Sequence, residues 1–169
     1  MTWDNERQRA QTGIVVRLVA RVLLVDPLDR VLLVRFSDSE RAATWWATPG
    51  GGLEARESYR SAARRELREE TGLEDVRIGP WIWTRRHRFP SGDRVVEHRE
   101  RIFLARTDGT PVSSARVGEH ERDYFRELRW WSLDELDATD EDTSPRDLAA
   151  LARAVLTSGP PVEPLVVGT

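Results

Sequence analysis

The chain contains no cysteine, which excludes disulfides, thiol nucleophiles, iron–sulfur clusters and cysteine zinc sites. It contains no lysine either, all 26 basic residues being arginine. Chemistry that needs a lysine amine, such as a Schiff base or the phosphate-binding loop of ATPases, is therefore absent. What remains for anions is the guanidinium fork, which grips phosphate at two points. An excess of positive charge is lacking as well: the net charge is -3 at pH 7, which argues against a surface that clings to nucleic acid as a whole. No apolar run reaches bilayer length. The most apolar one, residues 14–25, is about half of what a transmembrane helix needs and carries Arg17 and Arg21. Residues 1–13 hold no apolar leader, so the chain reads as cytoplasmic, with no membrane partner.

What is present describes one domain. The chain has 169 residues, 39% of them hydrophobic and 33% charged. That is enough to bury a core without metal or disulfide staples, and too apolar for a disordered chain. Residues 1–12 read as a flexible N-terminal segment, 13–158 as the single domain and 159–169 as a C-terminal tail. Residues 14–25 and 31–36 are rich in Val and Leu and flank the turn-prone Asp26-Pro27-Leu28-Asp29-Arg30, which predicts a β-hairpin. Residues 76–88 and 94–106 read as two further strands joined at Pro90-Ser91-Gly92-Asp93, with Trp81 and Trp83 on one strand face. A short strand follows over 128–133. A last helix, capped by Ser144 with Pro145 at its first position, carries the stripe Leu148, Leu151, Ala152, Val155 and Leu156.

The informative element is a helix over residues 58–71, which holds no Gly or Pro and is closed by Gly72. At about 100° per residue, Tyr59, Ala62, Ala63, Leu67, Glu69 and Glu70 share the side of Glu66. Arg60, Ser61, Arg64, Arg68 and Thr71 take the solvent side. The face due to enter the core thus carries three carboxylates at i, i+3 and i+4 spacing, which repel one another. Glutamates on an ordinary helix face are usually just solvated. Here Ala62 and Ala63 permit close packing but offer little apolar area, which suits a face that holds a site. Clustered carboxylates without sulfur or a histidine set favour a hard divalent cation, Mg²⁺ or Mn²⁺, and such ions commonly work on phosphates.

Gly51, Glu57, Arg65-Glu66-Leu67, Glu69-Glu70 and Gly72-Leu73, with five, seven, one and one residues between them, form a pattern that resembles the complete signature box of the Nudix hydrolase family. The preceding Trp46-Ala47-Thr48-Pro49-Gly50-Gly51 resembles the strand and turn that lead into that box. The resemblance implies an α/β fold, a Nudix-type α/β/α sandwich around a mixed β-sheet. It implies hydrolysis of a nucleoside diphosphate linked to another group, with water attacking one phosphorus and Mg²⁺, or Mn²⁺ in its place, as cofactor. It further implies that Glu66, Glu69 and Glu70 are the metal ligands, joined by the carbonyl of Gly50. Glu57 would support them, and Arg65 would hold them by ion pairing. The general base would be Glu66 or a glutamate of a later loop, Glu119 or Glu121.

Signals for the rest of the substrate are less local. Seven Trp include the adjacent pairs Trp45-Trp46 and Trp130-Trp131; strand neighbours point to opposite faces, so one of each pair enters the core and the other is left to stack on a base. Arg85, Arg86, Arg88, Arg94, Arg99 and Arg101 alternate with Glu97 and Glu100 along the second hairpin, which reads first as a set of cross-strand ion pairs. Trp45, Trp46, Arg85, Arg99, Glu119 and Glu121 are the candidates for substrate contact. The partner implied is a small nucleotide-derived molecule, and a homodimer is left open. A catalytically weak Nudix-like nucleotide sensor is the alternative reading. A nucleic-acid-binding module built on the arginine hairpin is a third, which the net charge disfavours.

Overall fold

The structure, a computed structural model, describes residues 13–38, 42–113 and 125–168. In chain order these form β1 (Ile14–Val25), β2 (Val31–Asp38), β3 (Ala43–Ala47), β4 (Gly50–Gly52), α1 (Tyr59–Thr71), β5 (Ile78–Ser91), β6 (Arg94–Arg106), β7 (Phe125–Trp131), α2 (Leu133–Ala138), β8 (Thr143–Ser144), α3 (Leu148–Ser158) and β9 (Leu165–Val166). The strands make one mixed sheet in the order β8-β3-β2-β1-β6-β5-β9, with β4 also paired to β1 and β7 to β2. Helices cover both faces, as the sandwich requires.

Alternation along the strands fills both faces. In β1, Ala20, Val22 and Leu24 enter a cluster with Ala62, Ala63 and Leu67 of α1, while Leu23 and Val25 enter another with Leu136 of α2 and Leu148, Ala152 and Val155 of α3. Parallel pairing of β1 with β6 over its whole length, Ile14↔Val95 through Val25↔Arg106, forms the centre of the sheet. The first expected hairpin is reduced to its closed end: β1 and β2 pair at Val25↔Val31. Farther along, β4 occupies that edge of β1, with Ala20 opposite Gly51 and Arg21 opposite Gly50. Strand β2 pairs instead with β3 and β7. The second hairpin forms as expected, β5 against β6, with the strands continuing to Ser91 and Arg94.

Several local expectations are corrected. Trp81 and Trp83 do not share a face, because the register shifts between them; Trp83 joins the cluster under α3 and Trp81 packs on the α1 side. Ser144 does not cap the last helix. Its backbone is committed to β8 opposite Ala47, and Asp147 occupies the N-cap position without a side-chain cap bond. Thr71 is fully buried rather than solvated, since its hydroxyl donates to Leu67 O at 2.5 Å and accepts from Leu73 N at 3.2 Å where the chain turns back at Gly72. Within the C-terminal tail beyond α3, β9 pairs with β5, and Val167 is buried in the core.

Candidate active site

The site is built by the β3–β4 crossover and the inner face of α1. Ser58 starts the helix by accepting the Ser61 N–H at 3.1 Å, and Gly72 ends it in the left-handed region at φ 74°. Between these caps the buried residues are Ala62, Ala63, Glu66, Leu67, Glu70 and Thr71. Glu66 and Glu70, one turn apart, are 3% and 4% exposed, and Glu69 is partly exposed at their side. Small alanines let α1 approach the sheet closely enough to bring these carboxylates against the glycine strand.

Arg65 offsets the repulsion expected among the glutamates. Its guanidinium donates to Glu57 Oε1 at 3.0 Å and Oε2 at 2.9 Å, to Glu66 Oε1 at 2.7 Å, to Glu69 Oε2 at 3.4 Å and to the Gly52 carbonyl at 2.9 Å. The hydrogen bond from Arg65 holds the Glu57 carboxyl below its ordinary range, and the bond to Glu57 in turn raises the pKa of Arg65 further above its ordinary value. Glu70 is turned to the backbone and accepts the Gly50 N–H on Oε2 at 2.7 Å. Among the described residues no three carboxylate or imidazole groups converge as a ready-made cation site. The acidic groups are held instead by Arg65 and by the amide of Gly50.

The residues nevertheless fit a hard divalent ion. The donors are carboxylate and carbonyl oxygens, the type Mg²⁺ takes. A Cβ at Gly51 would lie 2.6 Å from the Glu66 carboxylate, so the backbone here is shaped around that group. Arg65 binds Oε1 of Glu66, and Oε2, the other oxygen of that carboxylate, is itself buried.

Gly50, Glu57, Arg65, Glu66, Glu69 and Glu70 are thus brought together. The other candidates are dispersed. Trp46 is 1% exposed, packs edge-on against Trp131 and donates Nε1 to Glu141 at 2.8 Å, so burial removes it from substrate. Trp45, its strand neighbour, is partly exposed and stacks on Phe36 with centroids 5.9 Å apart. Arg85 is 7% exposed and bound to Glu100, which likewise takes it out of reach. Arg99 pairs with Glu97 at 2.7 Å but keeps an exposed edge. Glu119 and Glu121 lie outside the described residues. Sequence reasoning missed Arg21 and Glu100, which meet at 3.0 Å behind the crossover. The signal that could have found Arg21 was a single charge among the apolar residues Leu18 to Val25, whereas Glu100, among Glu97, Arg99 and Arg101, carries no such local sign.

A mixed sheet between helices, with an arginine-bound glutamate set on the helix that follows a glycine strand, defines the Nudix hydrolases as a class. The chain belongs to the NUDIX family: residues 15–152 match the NUDIX domain, and it is an enzyme of the pyrophosphohydrolase kind. The RNA pyrophosphohydrolase of Erythrobacter litoralis (strain HTCC2594) is 32% identical over 131 residues, 71% of this chain and 78% of its own. That of Halorhodospira halophila (strain DSM 244 / SL1) is 35% identical over 139 residues, 76% of this chain and 70% of its own. The MutT protein from Methanosarcina mazei Go1 shares the fold with a TM-score of 0.62, at 20% identity over 86% of this chain and 96% of that one. No helix among the described residues is long and apolar enough to cross a membrane.

Proposed function

We propose that the protein is a cytoplasmic, Mg²⁺-dependent hydrolase of the pyrophosphate bond in a nucleoside diphosphate joined to another group. The observation that carries this reading is the arrangement of Glu66, Glu69 and Glu70 around Arg65 and beside the Gly50–Gly52 strand. Glu66, Glu69, Glu70 and the Gly50 carbonyl would hold the ion. A bound Mg²⁺ supplies neutralisation of phosphate charge and a lowered pKa for attacking water. The chain's own residues do the rest. Glu57 fixes Arg65, Arg65 keeps Glu66 and Glu69 from swinging into solvent, and the Gly50 amide orients Glu70. Glu66, whose carboxylate Arg65 holds through Oε1, is one candidate to accept the proton of the attacking water, and Glu119 and Glu121 are the others. Trp45 and Arg99, which keep exposed surface, are the candidates left for contact with the base and the second group. The nucleotide-derived partner is a small molecule in this reading, and the name of the relatives, RNA pyrophosphohydrolase, adds an RNA to the substrates worth testing.

The test is a panel of nucleoside triphosphates, ADP-ribose, nucleotide sugars, dinucleoside polyphosphates and a 5′-triphosphate RNA oligonucleotide, each incubated with and without Mg²⁺. We expect Mg²⁺-dependent release of a mononucleotide or phosphate product from at least one of them. Glu70→Gln removes a ligand charge and is expected to cost roughly a hundredfold in turnover with less effect on substrate affinity. Near-normal turnover of that variant under saturating Mg²⁺ would remove Glu70 from the site. Parallel Glu119→Gln and Glu121→Gln variants with unchanged turnover would leave the base at Glu66.

A further inference from the structure

Arg21 lies in the apolar centre of β1, opposite Gly50 of β4. Its Nε donates to Glu100 Oε1 at 3.0 Å, and its Nη1 donates to the Thr48 carbonyl at 2.9 Å and reaches the Gly50 carbonyl at 3.5 Å. Glu100, 2% exposed, accepts from Arg85 on its other oxygen at 3.1 Å. Burial opposes the charge on Glu100, yet Arg21 and Arg85 outweigh it and hold its pKa below the ordinary value. Arg85 and Glu100 are thereby taken out of water and Arg21 partly so, an arrangement that packed apolar side chains often match or exceed in stability. What apolar residues would not do is bind the carbonyls of the crossover. Between β3 and β4 the chain leaves one ladder and joins another, and Pro49 brings no N–H. Val22 N fills the Pro49 carbonyl at 2.9 Å, and Arg21 fills that of Thr48. The next amide, Gly50 N–H, is the one that holds Glu70 at 2.7 Å.

We propose that Glu100 and Arg21 are positioning residues of the hydrolytic site: the chain Arg85–Glu100–Arg21 sets the Thr48–Gly50 backbone and, through the Gly50 amide and carbonyl, the placement of Glu70 and of the backbone ligand. The proposal rests on the metal-dependent hydrolase reading for its effect on activity. A merely structural ion network would lower stability and leave the ion's affinity alone. Glu97 provides the contrast, since it sits on the same strand and its carboxylate is held by Arg88 at 2.7 Å and Arg99 at 2.7 Å, away from the crossover carbonyls that Arg21 binds.

The experiment compares wild type, Glu100→Gln, Arg21→Lys and Glu97→Gln. Three quantities are read: amide exchange at Gly50 in metal-free protein, the Mg²⁺ concentration giving half of the rise in melting temperature, and kcat and KM on a nucleotide the wild type hydrolyses. Mg²⁺ binding to the folded state alone raises the melting temperature with concentration. For Glu100→Gln and Arg21→Lys we expect roughly tenfold faster Gly50 exchange and roughly tenfold higher half-saturating Mg²⁺. We also expect kcat lowered by about tenfold or more with KM changed by less than about threefold, the size usual for groups that orient metal ligands. Glu97→Gln should leave the Mg²⁺ response and Gly50 exchange within about twofold of wild type. If Glu100→Gln does not fold, Arg21→Lys decides, because lysine keeps the charge beside Glu100 and loses the fork that spans the carbonyls. Unchanged Gly50 exchange and Mg²⁺ response in the folded variants, or equal changes in Glu97→Gln, overturn the proposal. A wild type that shows neither a Mg²⁺-induced melting shift nor hydrolysis overturns the hydrolase reading instead, and the metal-free exchange at Gly50 still decides whether Arg21 and Glu100 set the crossover.

Discussion

Arg65 is the residue on which the acidic face depends. Glutamates at i, i+3 and i+4 repel, and the helix tolerates them because one guanidinium, 18% exposed, is bound to Glu57, Glu66 and Glu69 at once. The mutual repulsion that the glutamate spacing implies is therefore compensated within the chain, and the compensation is removable. Arg65→Gln is expected to cost about 3 kcal/mol in metal-free stability, as removal of one partner leaves partly buried carboxylates uncompensated. The same variant should gain more from Mg²⁺ than wild type does, because the ion then supplies the positive charge that Glu66 has lost. Chemical denaturation with and without Mg²⁺ measures both. A loss below about 0.5 kcal/mol would show that Arg65 contributes no more than an exposed ion pair. Glu57 belongs to the same unit: its carboxyl owes its lowered pKa first to Arg65, so Glu57 is the anchor of the arginine and only indirectly part of the acidic set.

At the scale of elements, α1 shows which features a sequence displays and which it conceals. Its extent, its stop at Gly72 and its acidic face are set within about fifteen residues by 3.6-residue periodicity and end chemistry, and the structure reproduces them, with Ser58, read as the first helical residue, found as the N-cap. Ser58→Ala is expected to cost about 1 kcal/mol, since the Ser61 N–H loses its acceptor. Thermal melting measures that cost; because α1 carries the glutamates proposed to hold the ion, activity at saturating Mg²⁺ should survive while half-saturation shifts slightly, and an unchanged melting temperature would mean that the cap is replaced by water. The arginine hairpin was legible in kind, its charges read as cross-strand pairs and found so for Arg85–Glu100 and Arg88–Glu97. The link of Arg21 to Glu100 was not, because 79 residues separate the partners and only the parallel β1–β6 register brings them together. The register shift that sends Trp81 and Trp83 to opposite faces was equally hidden: strict alternation is the default expectation, and an irregularity leaves no local sign in the two tryptophans. Arg101, stacked between the Tyr59 and Trp81 rings at 4.2 Å from each, is a consequence of that shift.

For the molecule as a whole, the faces of the sheet differ in charge: the proposed ligand carboxylates lie under α1, and a mixed cluster of His98, Arg21, Arg85 and Glu100 lies on the opposite face. His98 lies there against the Phe89 ring at 4.9 Å and 4.0 Å from Glu100. Burial, followed by the charge of Arg21, pushes its pKa from 6.5 down to about 4, with His87 and Arg17 adding to the shift and Glu100 opposing it. The unfolded chain therefore binds the His98 proton first as acid is added. Between pH 6.5 and about 4 it holds more protons than the folded chain, so stability is complete above 6.5 and declines as the pH falls through this window. The lowered carboxylates, Glu57, Glu97 and Glu100, have an ordinary value of 4.5; their contribution is present above that value and is lost only below it. The interval from about pH 6.5 to 5 thus separates the imidazole from the acids. We expect wild-type stability to fall by on the order of 1 kcal/mol across it, a figure reduced for the partial exposure of the ring, and to fall steeply below about pH 4.5. His98→Gln should flatten the first interval and keep the second, whatever its stability at neutral pH, because the slope and not the absolute value reports the proton. Denaturant midpoints at half-unit pH steps from about 7 to 4 provide the measurement. A wild-type curve that is level between about pH 6.5 and 5, or a His98→Gln curve that retains the slope, would place the proton uptake elsewhere and show that His98 is not held neutral by the fold.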